Sequence, residues 1–238
     1  MKQVLGLATI AAIVVLLINT RLRGQVVAQA DRFTVDRQQM VDVQLEARGI
    51  ASAAVLTVMN RVPRHLFVPP AIQSRAYEDT PLPIGLGQTI SQPFIVAYMT
   101  EALQVAPEQS VLEIGTGSGY QAAVLAELVR QVYTIEILPE LADRARGTLA
   151  AAGYRNVEVR TGNGHLGWPE HAPFARIIVT AAPEEIPQAL VDQLAIGGTM
   201  VLPVGRGLQE MRIVTKSADG VAEKRTMPVR FVPMVNKP

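Results

Sequence analysis

The sequence contains no cysteine and only three histidines among its 238 residues. Without cysteine there is no disulfide, no thiolate metal ligand and no cysteine nucleophile. The histidines show neither HxxxH nor HExxH spacing, so we expect no metal site. The chain also lacks an excess of charge of either sign, because 22 Lys and Arg stand against 21 Asp and Glu, a net charge of +1. That balance argues against a nucleic-acid partner.

What the chain does have is enough apolar material for a core. Hydrophobic residues make up 49% and charged residues 18% of the sequence, which is typical of a folded protein and not of a disordered one. The length corresponds to one ordinary domain, or to one domain with a short appendage.

Residues 1–30 differ from the rest and form a leader. An apolar run over residues 4–18 follows one lysine, and a small-x-small site ends at Ala30, as in a secretory signal peptide. Two arginines directly behind the run argue against export, and the run is shorter than the ~20 residues that span a bilayer. The leader is therefore a signal peptide, a membrane anchor, or a misassigned start ahead of Met40.

Strands alternate with helices in the second half of the chain. We predict helices over residues 36–60 (with a break at Gly49), 119–128, 139–151 and 187–195. We predict strands at 111–114, 132–137, 156–160, 176–180, 199–204, 211–215 and 229–232. Residues 69–87, rich in Pro and Gly, are expected to be irregular.

This order predicts an α/β fold with a doubly wound, mostly parallel sheet and an antiparallel C-terminal strand pair. Residues 31–110 would form an N-terminal helical and loop extension that carries the substrate loop. Residues 111–238 would form the cofactor-binding core, and residues 31–238 together one compact domain.

A glycine loop follows the first of these strands. In EIGTGSGY the glycines are Gly115, Gly117 and Gly119, and Tyr120 occupies the position where a dinucleotide fingerprint has glycine. No Walker A loop is present. Glu136 ends the second strand, 21 residues beyond Gly115, where a carboxylate can accept hydrogen bonds from a ribose. The pattern favours a ribose-bearing cofactor over the alternative of a tight turn and a surface Glu.

The segment VLEIGTGSGYQAAVLAEL resembles the cofactor loop of the S-adenosylmethionine-dependent methyltransferases. From about Met40 onward the chain resembles the protein-L-isoaspartate O-methyltransferase family, and the leader lies outside the resemblance. The segments that carry it are MVDVQLEARGI (40–50), VPRHLFVP (62–69), AYEDTPLPIGLGQTISQPFIVAYMTEAL (76–103), GNGHLGWPEHAPF (162–174), IIVTAAP (177–183) and LPVG (202–205). The stretch GQTISQP within the third is more specific than the glycine loop.

The resemblance implies a class I, Rossmann-like methyltransferase. Such an enzyme methylates the free α-carboxylate of L-isoaspartyl residues in damaged proteins, and the ester cyclises to a succinimide that opens partly to aspartate. It implies that S-adenosyl-L-methionine is bound by Glu113, Gly115, Gly117, Ser118, Gly119, Glu136 and Asn163. The partners would be isoaspartyl-containing proteins and peptides, and the expected state is a monomer.

Three residues are candidates for the acceptor side. The resemblance assigns the active-site role to Ser91, and Thr89 would help to position the same loop. Thr180 ends a strand at the expected switch point of the sheet, where ligands enter such folds. Alternatively, Ser91 only caps the helix that begins near Pro93, and Thr180 only packs at the strand end.

Two residues depart from the family pattern, since Asn163 and Ala175 stand where the family usually has Asp. They motivate one alternative, a cofactor-binding pseudoenzyme. A second alternative is a related carboxyl methyltransferase with another acceptor. Because S-adenosylmethionine is made in the cytosol, we expect a cytoplasmic catalytic domain, soluble or tethered to a membrane through residues 1–30. The alternative location is extracytoplasmic, after cleavage near Ala30.

Overall fold

The computed structural model describes residues 32–237 of the chain. The leader itself, residues 1–30, lies outside this range, so its interpretations stay predictions. Within residues 32–237, no helix combines the length and the apolar character needed to cross a bilayer.

The N-terminal part is helical as far as residue 61, which confirms the prediction for residues 36–60. Its elements are α1 (residues 32–39), which continues as a π-helical turn (Met40–Leu45) and a 3-10 turn (Glu46–Arg48), and α2 (Ala53–Arg61). Gly49 ends the first stretch with a φ of 97°, a left-handed conformation that glycine adopts readily. Ser52 caps α2 by accepting a hydrogen bond from the Val55 amide, and the helix stops before Pro63.

A β-hairpin lies in the segment predicted as irregular, so that prediction was wrong for residues 82–87. Strands β1 (Leu82–Gly85) and β2 (Gln88–Ile90) pair antiparallel, and two 3-10 helices (Arg64–Phe67 and Pro70–Arg75) precede them. Leu82, Ile84 and Ile90 are buried, so the hairpin is attached to the core by one face. Proline and glycine between these positions obscure the alternation in the sequence.

The main sheet has seven strands and four further helices around it. The strands are β3 (Ser110–Ile114), β4 (Gln131–Glu136), β5 (Val157–Thr161), β6 (Phe174–Val179), β7 (Leu194–Val204), β8 (Gln209–Ser217) and β9 (Gly220–Val229). The helices are α3 (Pro93–Leu103), α4 (Tyr120–Ala126), α5 (Pro139–Ala151) and α6 (Gln188–Gln193). The strand order is β5-β4-β3-β6-β7-β8-β9, parallel up to β7 and antiparallel after it. This confirms the doubly wound α/β fold.

Two predicted boundaries near the C-terminus were wrong. Helix α6 ends at Gln193, and Leu194 already begins β7, which carries an irregularity at Gly197-Gly198. The last strand is Gly220–Val229 and not residues 229–232. Because β9 is an edge strand with mostly exposed residues, its sequence lacks the apolar alternation that marks a buried strand.

The sheet separates two buried layers. Alternate residues of β3 face opposite sides, with Val111 in the layer that contains the N-terminal helices and Leu112 and Ile114 in the other. The N-terminal extension thus packs on the same core as the sheet. Its hairpin and α3 lie close to the carboxyl ends of the parallel strands, where the functional residues gather.

Candidate active site

A cavity of about 490 Å³ lies at the carboxyl ends of β3 and β6. This is the point where strand order reverses, because the chain continues from β3 to one side and from β6 to the other. The predicted residues in its wall are Thr89, Ser91, Gly115, Gly117, Ser118, Glu136 and Thr180. Of the predicted site residues, Glu113, Gly119 and Asn163 do not line it.

The three glycines of the loop do three different things. A Cβ on Gly115, whose φ is 97°, would lie 2.5 Å from the Thr180 hydroxyl oxygen. A Cβ on Gly119, at φ 89°, would lie 3.1 Å from Leu149 Cγ, so this glycine allows α4 to pack on α5. Only Gly117 presents open backbone to the cavity, with Ile84 Cδ1 its nearest neighbour at 3.5 Å. Backbone without a side chain lets a ligand approach closely.

Glu136 is buried and holds the glycine loop. One carboxylate oxygen accepts a hydrogen bond from the Gly117 amide at 2.8 Å, and the other accepts one from the Leu138 amide at 3.1 Å. A carboxylate has about four lone-pair sites, so these two bonds leave acceptor capacity at the cavity wall. That capacity matches the hydroxyls of a ribose.

Glu113 lies in β3 and is fully buried, away from the cavity wall. Neither of its carboxylate oxygens has a hydrogen-bond partner among residues 32–237. Burial raises the pKa of Glu113 to about 8; the nearby Thr134 hydroxyl opposes this rise, and the charge of Glu136 adds to it. The side chain is therefore mostly protonated at neutral pH. The cofactor-binding role that the resemblance implies for Glu113 stays a prediction.

Asn163 caps the short 3-10 helix after β5. Its side-chain oxygen accepts a hydrogen bond from the His165 amide at 2.9 Å and lies 3.2 Å from the His165 ring nitrogen. The wall residue here is Gly164, where a Cβ would lie 2.3 Å from Ile114 Cγ2. The second glycine of GNG is the sequence signal for this contact, whereas the prediction named Asn163.

Thr180 joins the two strands at the switch point. Its hydroxyl oxygen lies 2.6 Å from the Gly115 carbonyl and 3.1 Å from the Ile114 carbonyl, so the hydroxyl donates across the strand ends. Thr180 thus fixes the start of the glycine loop in addition to lining the cavity.

A second cavity, of about 470 Å³, adjoins the first. The two share Thr89, Ser91, Thr180 and Val232, and the second is also lined by Arg48 and Arg230. Ser91 is half-buried at this junction. It does not cap α3, because the N-cap is Gln92 and no side chain makes a capping bond there.

The C-terminal segment forms part of the wall of the first cavity, which the sequence did not indicate. Ala182 donates a backbone hydrogen bond to Val232 and accepts one from Met234, both at 2.8 Å. Val232, Met234 and Lys237 contribute to the first cavity. This contact joins residues far apart in sequence, which local patterns do not reveal.

Comparison with known proteins agrees with this geometry. A family model described as Protein-L-isoaspartate(D-aspartate) O-methyltransferase matches residues 35–238. A protein-L-isoaspartate O-methyltransferase of Synechococcus sp. is 60% identical over 214 residues, 87% of this chain and 88% of the relative. One from Gloeobacter violaceus is 59% identical over 200 residues, 83% of this chain and 98% of the relative.

Solved structures show the same fold. A solved protein-L-isoaspartate O-methyltransferase superposes with a TM-score of 0.76 at 27% identity, covering 83% of this chain and 65% of that one. A Plasmodium falciparum chain, crystallised with S-adenosyl-L-homocysteine, gives a TM-score of 0.74 at 24% identity, covering 84% of this chain and 99% of that one. The second shows similarity of fold.

Proposed function

The chain belongs to the protein-L-isoaspartate O-methyltransferase family, and on that premise we propose which ligand each of its two cavities binds. It is a methyltransferase that uses S-adenosylmethionine to methylate the free α-carboxylate of L-isoaspartyl residues in damaged proteins. The ester then cyclises to a succinimide, which opens partly to aspartate. We assign the first cavity to the cofactor and the second to the isoaspartyl segment.

The residues of the first cavity fit the cofactor. Gly115 and Gly164 leave no room for a side chain, and the open backbone of Gly117 faces the cavity. Glu136 would accept hydrogen bonds from the ribose hydroxyls, with Ser118 beside it in the wall. Asn163, Gly119 and Glu113 would act by supporting these groups. When bound, S-adenosylmethionine supplies a methyl group already activated on a sulfonium sulfur.

The acceptor needs little from acid–base groups. An α-carboxylate is ionised at neutral pH, since its pKa in peptides is about 3.5. The carboxylate oxygen forms the new bond to the methyl carbon while the carbon–sulfur bond breaks and its electron pair stays on sulfur. The protein has to hold the oxygen in line with that bond and exclude water, and such alignment is worth about 7–11 kcal/mol.

One observation carries the proposal: the two cavities meet at Thr89, Ser91 and Thr180. At that junction the Ser91 hydroxyl would donate a hydrogen bond to the acceptor carboxylate and fix its direction. Thr89 would position the same loop. Thr180, whose hydroxyl donates to the carbonyls at the end of β3, would fix the backbone between the two ligands.

We further propose that the enzyme acts as a monomer in the cytoplasm, where its cofactor is made, either soluble or tethered through residues 1–30. Fractionation of cells that express the full chain tests this location. Recovery of a form cleaved near Ala30 from an extracytoplasmic fraction would contradict it.

The catalytic proposal is tested with cofactor labelled in its methyl group and a peptide that contains one isoaspartyl residue. We expect label in this peptide and none in the matched aspartyl peptide. Ser91→Ala should lower kcat and leave the Kd for S-adenosylhomocysteine unchanged. Cofactor binding without transfer to either peptide would point to a pseudoenzyme instead, and transfer to the aspartyl peptide to another acceptor.

A further inference from the structure

The segment Val62–Pro69 contains a charged side chain that the proposed chemistry does not use. Arg64 begins a 3-10 helix and is fully buried, with no exposed surface. A buried charge is costly unless polar groups satisfy it. What surrounds this guanidinium therefore indicates why an arginine stands there.

The guanidinium binds two main-chain carbonyls from different parts of the chain. Its Nε donates to the Ala76 carbonyl at 2.7 Å, and its Nη2 donates to the Ser91 carbonyl, also at 2.7 Å. Both bonds are short and charge-assisted, which makes them stronger than neutral ones. Arg64 thus holds the main chain at the residue that lies at the junction of the two cavities.

The third contact is with the cofactor side. The Arg64 guanidinium carbon lies 4.8 Å from the ring centroid of Tyr120, which follows the glycine loop and lines the first cavity. The remaining nitrogen, Nη1, has no hydrogen-bond partner among residues 32–237. A cation over an aromatic face is attracted to it, more strongly when both are shielded from water.

We propose that Arg64 is a positioning residue that fixes the Ser91 main chain against Tyr120, so that the acceptor and the cofactor sites keep one relative geometry. The proposal rests on the function proposed above. The planar fork of arginine serves two carbonyls at once, whereas the single ammonium of lysine does not reproduce that geometry.

Burial lowers the pKa of Arg64 to about 10. At neutral pH the guanidinium is still protonated, so its Nε and Nη2 groups both donate to the two carbonyls. The arrangement therefore persists from neutral pH up to about pH 10, and an isoaspartyl carboxylate is ionised throughout that range.

Arg64→Lys tests the proposal, and Arg176→Lys is its matched control. Arg176 also donates to two carbonyls, those of Gln104 and Ala175, but it lies at the opposite end of β6. We expect Arg64→Lys to lower kcat/KM for an isoaspartyl peptide by about 10- to 100-fold, as misplacement of a catalytic geometry does. The Kd for S-adenosylhomocysteine should change less, and Arg176→Lys should match the wild type in both.

A double-mutant cycle with Ser91→Ala separates positioning from general destabilisation. If Arg64 acts through Ser91, Arg64→Lys should have little further effect on kcat once the hydroxyl is gone. A double variant whose loss of kcat equals the product of the two single-variant losses would overturn the proposal. A Ser91→Ala variant with wild-type kcat would also overturn it.

Hydrogen exchange gives a readout that does not depend on activity. Amides of residues 88–92 should exchange faster in Arg64→Lys than in the wild type, while those of β3 and β6 stay protected in both. Unchanged exchange at residues 88–92, or uniformly faster exchange, would overturn the proposal. If the wild type methylates no peptide, the proposed function fails, and this comparison still decides whether Arg64 positions the loop.

Discussion

At the scale of single residues, Glu136 connects the glycine loop to the loop after β4 through its bonds to Gly117 and Leu138. Glu136→Gln keeps one acceptor and removes the charge. Charged hydrogen bonds are worth about 1.5–3 kcal/mol, so we expect the Kd for S-adenosylhomocysteine to rise about 10-fold or more by calorimetry. Glu158→Gln, an exposed position on the neighbouring strand β5, is the control. Equal affinities in both variants would exclude a cofactor contact by Glu136.

Glu113 makes stability depend on pH. Its pKa rises from 4.5 to about 8 on folding, so the folded state keeps a proton that the unfolded state has lost. Stability should therefore fall as pH increases from about 4.5 to about 8, by an amount on the order of a few kcal/mol. Glu113→Gln removes this titration.

The measurement is the Tm of both proteins across that pH range. The Tm of Glu113→Gln minus the Tm of the wild type should increase as pH rises to about 8 and stay constant at higher pH. A difference that does not vary with pH would show that Glu113 is ionised in the folded protein.

The sequence predicted the type of site better than the contacts within it. Gly115, Gly117 and Glu136 line the first cavity, because a glycine loop and a strand-end carboxylate have a fixed geometry in this fold, and their contact with the cofactor stays a prediction. The cavity wall is formed by Gly164 and not by its neighbour Asn163, and spacing alone does not say which of two adjacent residues faces a cavity. The carbonyl contacts of Arg64 were missed because backbone acceptors leave no mark in the sequence.

At the scale of elements, those with clear start and stop signals were predicted well, and those without a regular apolar pattern were predicted poorly. Helix α5 has the predicted bounds, since Pro139 starts it and Gly153 follows it. The hairpin β1–β2 was missed because its core contacts are separated by prolines and glycines. The edge strand β9 was misplaced because one row of its backbone groups and most of its side chains face solvent.

The glycine loop and α4 also allow a prediction at this scale. Gly117→Ala and Gly119→Ala both add a side chain at positive φ, but only the second crowds Leu149. We expect Gly119→Ala to lower the free energy of unfolding by about 1–3 kcal/mol, with a smaller loss of cofactor affinity. Gly117→Ala should show the larger loss of affinity.

Gly147→Ala is the control for these variants, because it lies within α5 with open space around it. It should raise stability by up to about 1 kcal/mol, as expected for alanine in a helix. Denaturant unfolding and calorimetry on the three variants provide both quantities. The same ratio of stability loss to affinity loss at positions 117 and 119 would contradict the division of roles.

At the scale of the whole molecule, α1 decides where the folded unit begins. Phe33 stacks on His65 with ring centroids 4.1 Å apart, and Arg37 donates to the Tyr77 hydroxyl at 3.3 Å. A chain that starts at residue 32 should keep the kcat/KM of the full chain. A chain that starts at Met40 should unfold at a lower temperature, because it lacks these contacts.

Thermal unfolding and initial rates on the three chains test this prediction. Equal Tm values for the chains that start at residues 32 and 40 would show that α1 adds nothing to the fold. A loss of activity on removal of residues 1–31 would show that the described residues do not contain the whole catalytic unit.

The central claim about the whole enzyme is that it transfers the methyl group, across its two adjoining cavities, to the free α-carboxylate of an isoaspartyl residue. Three peptides of one sequence test it, carrying isoaspartate, aspartate, or isoaspartate with its α-carboxylate blocked as an amide. Mass spectrometry of each after incubation with enzyme and S-adenosylmethionine should find a methyl ester and then a succinimide in the first alone. Methylation of the blocked peptide, or equal methylation of the aspartyl peptide, would contradict this claim.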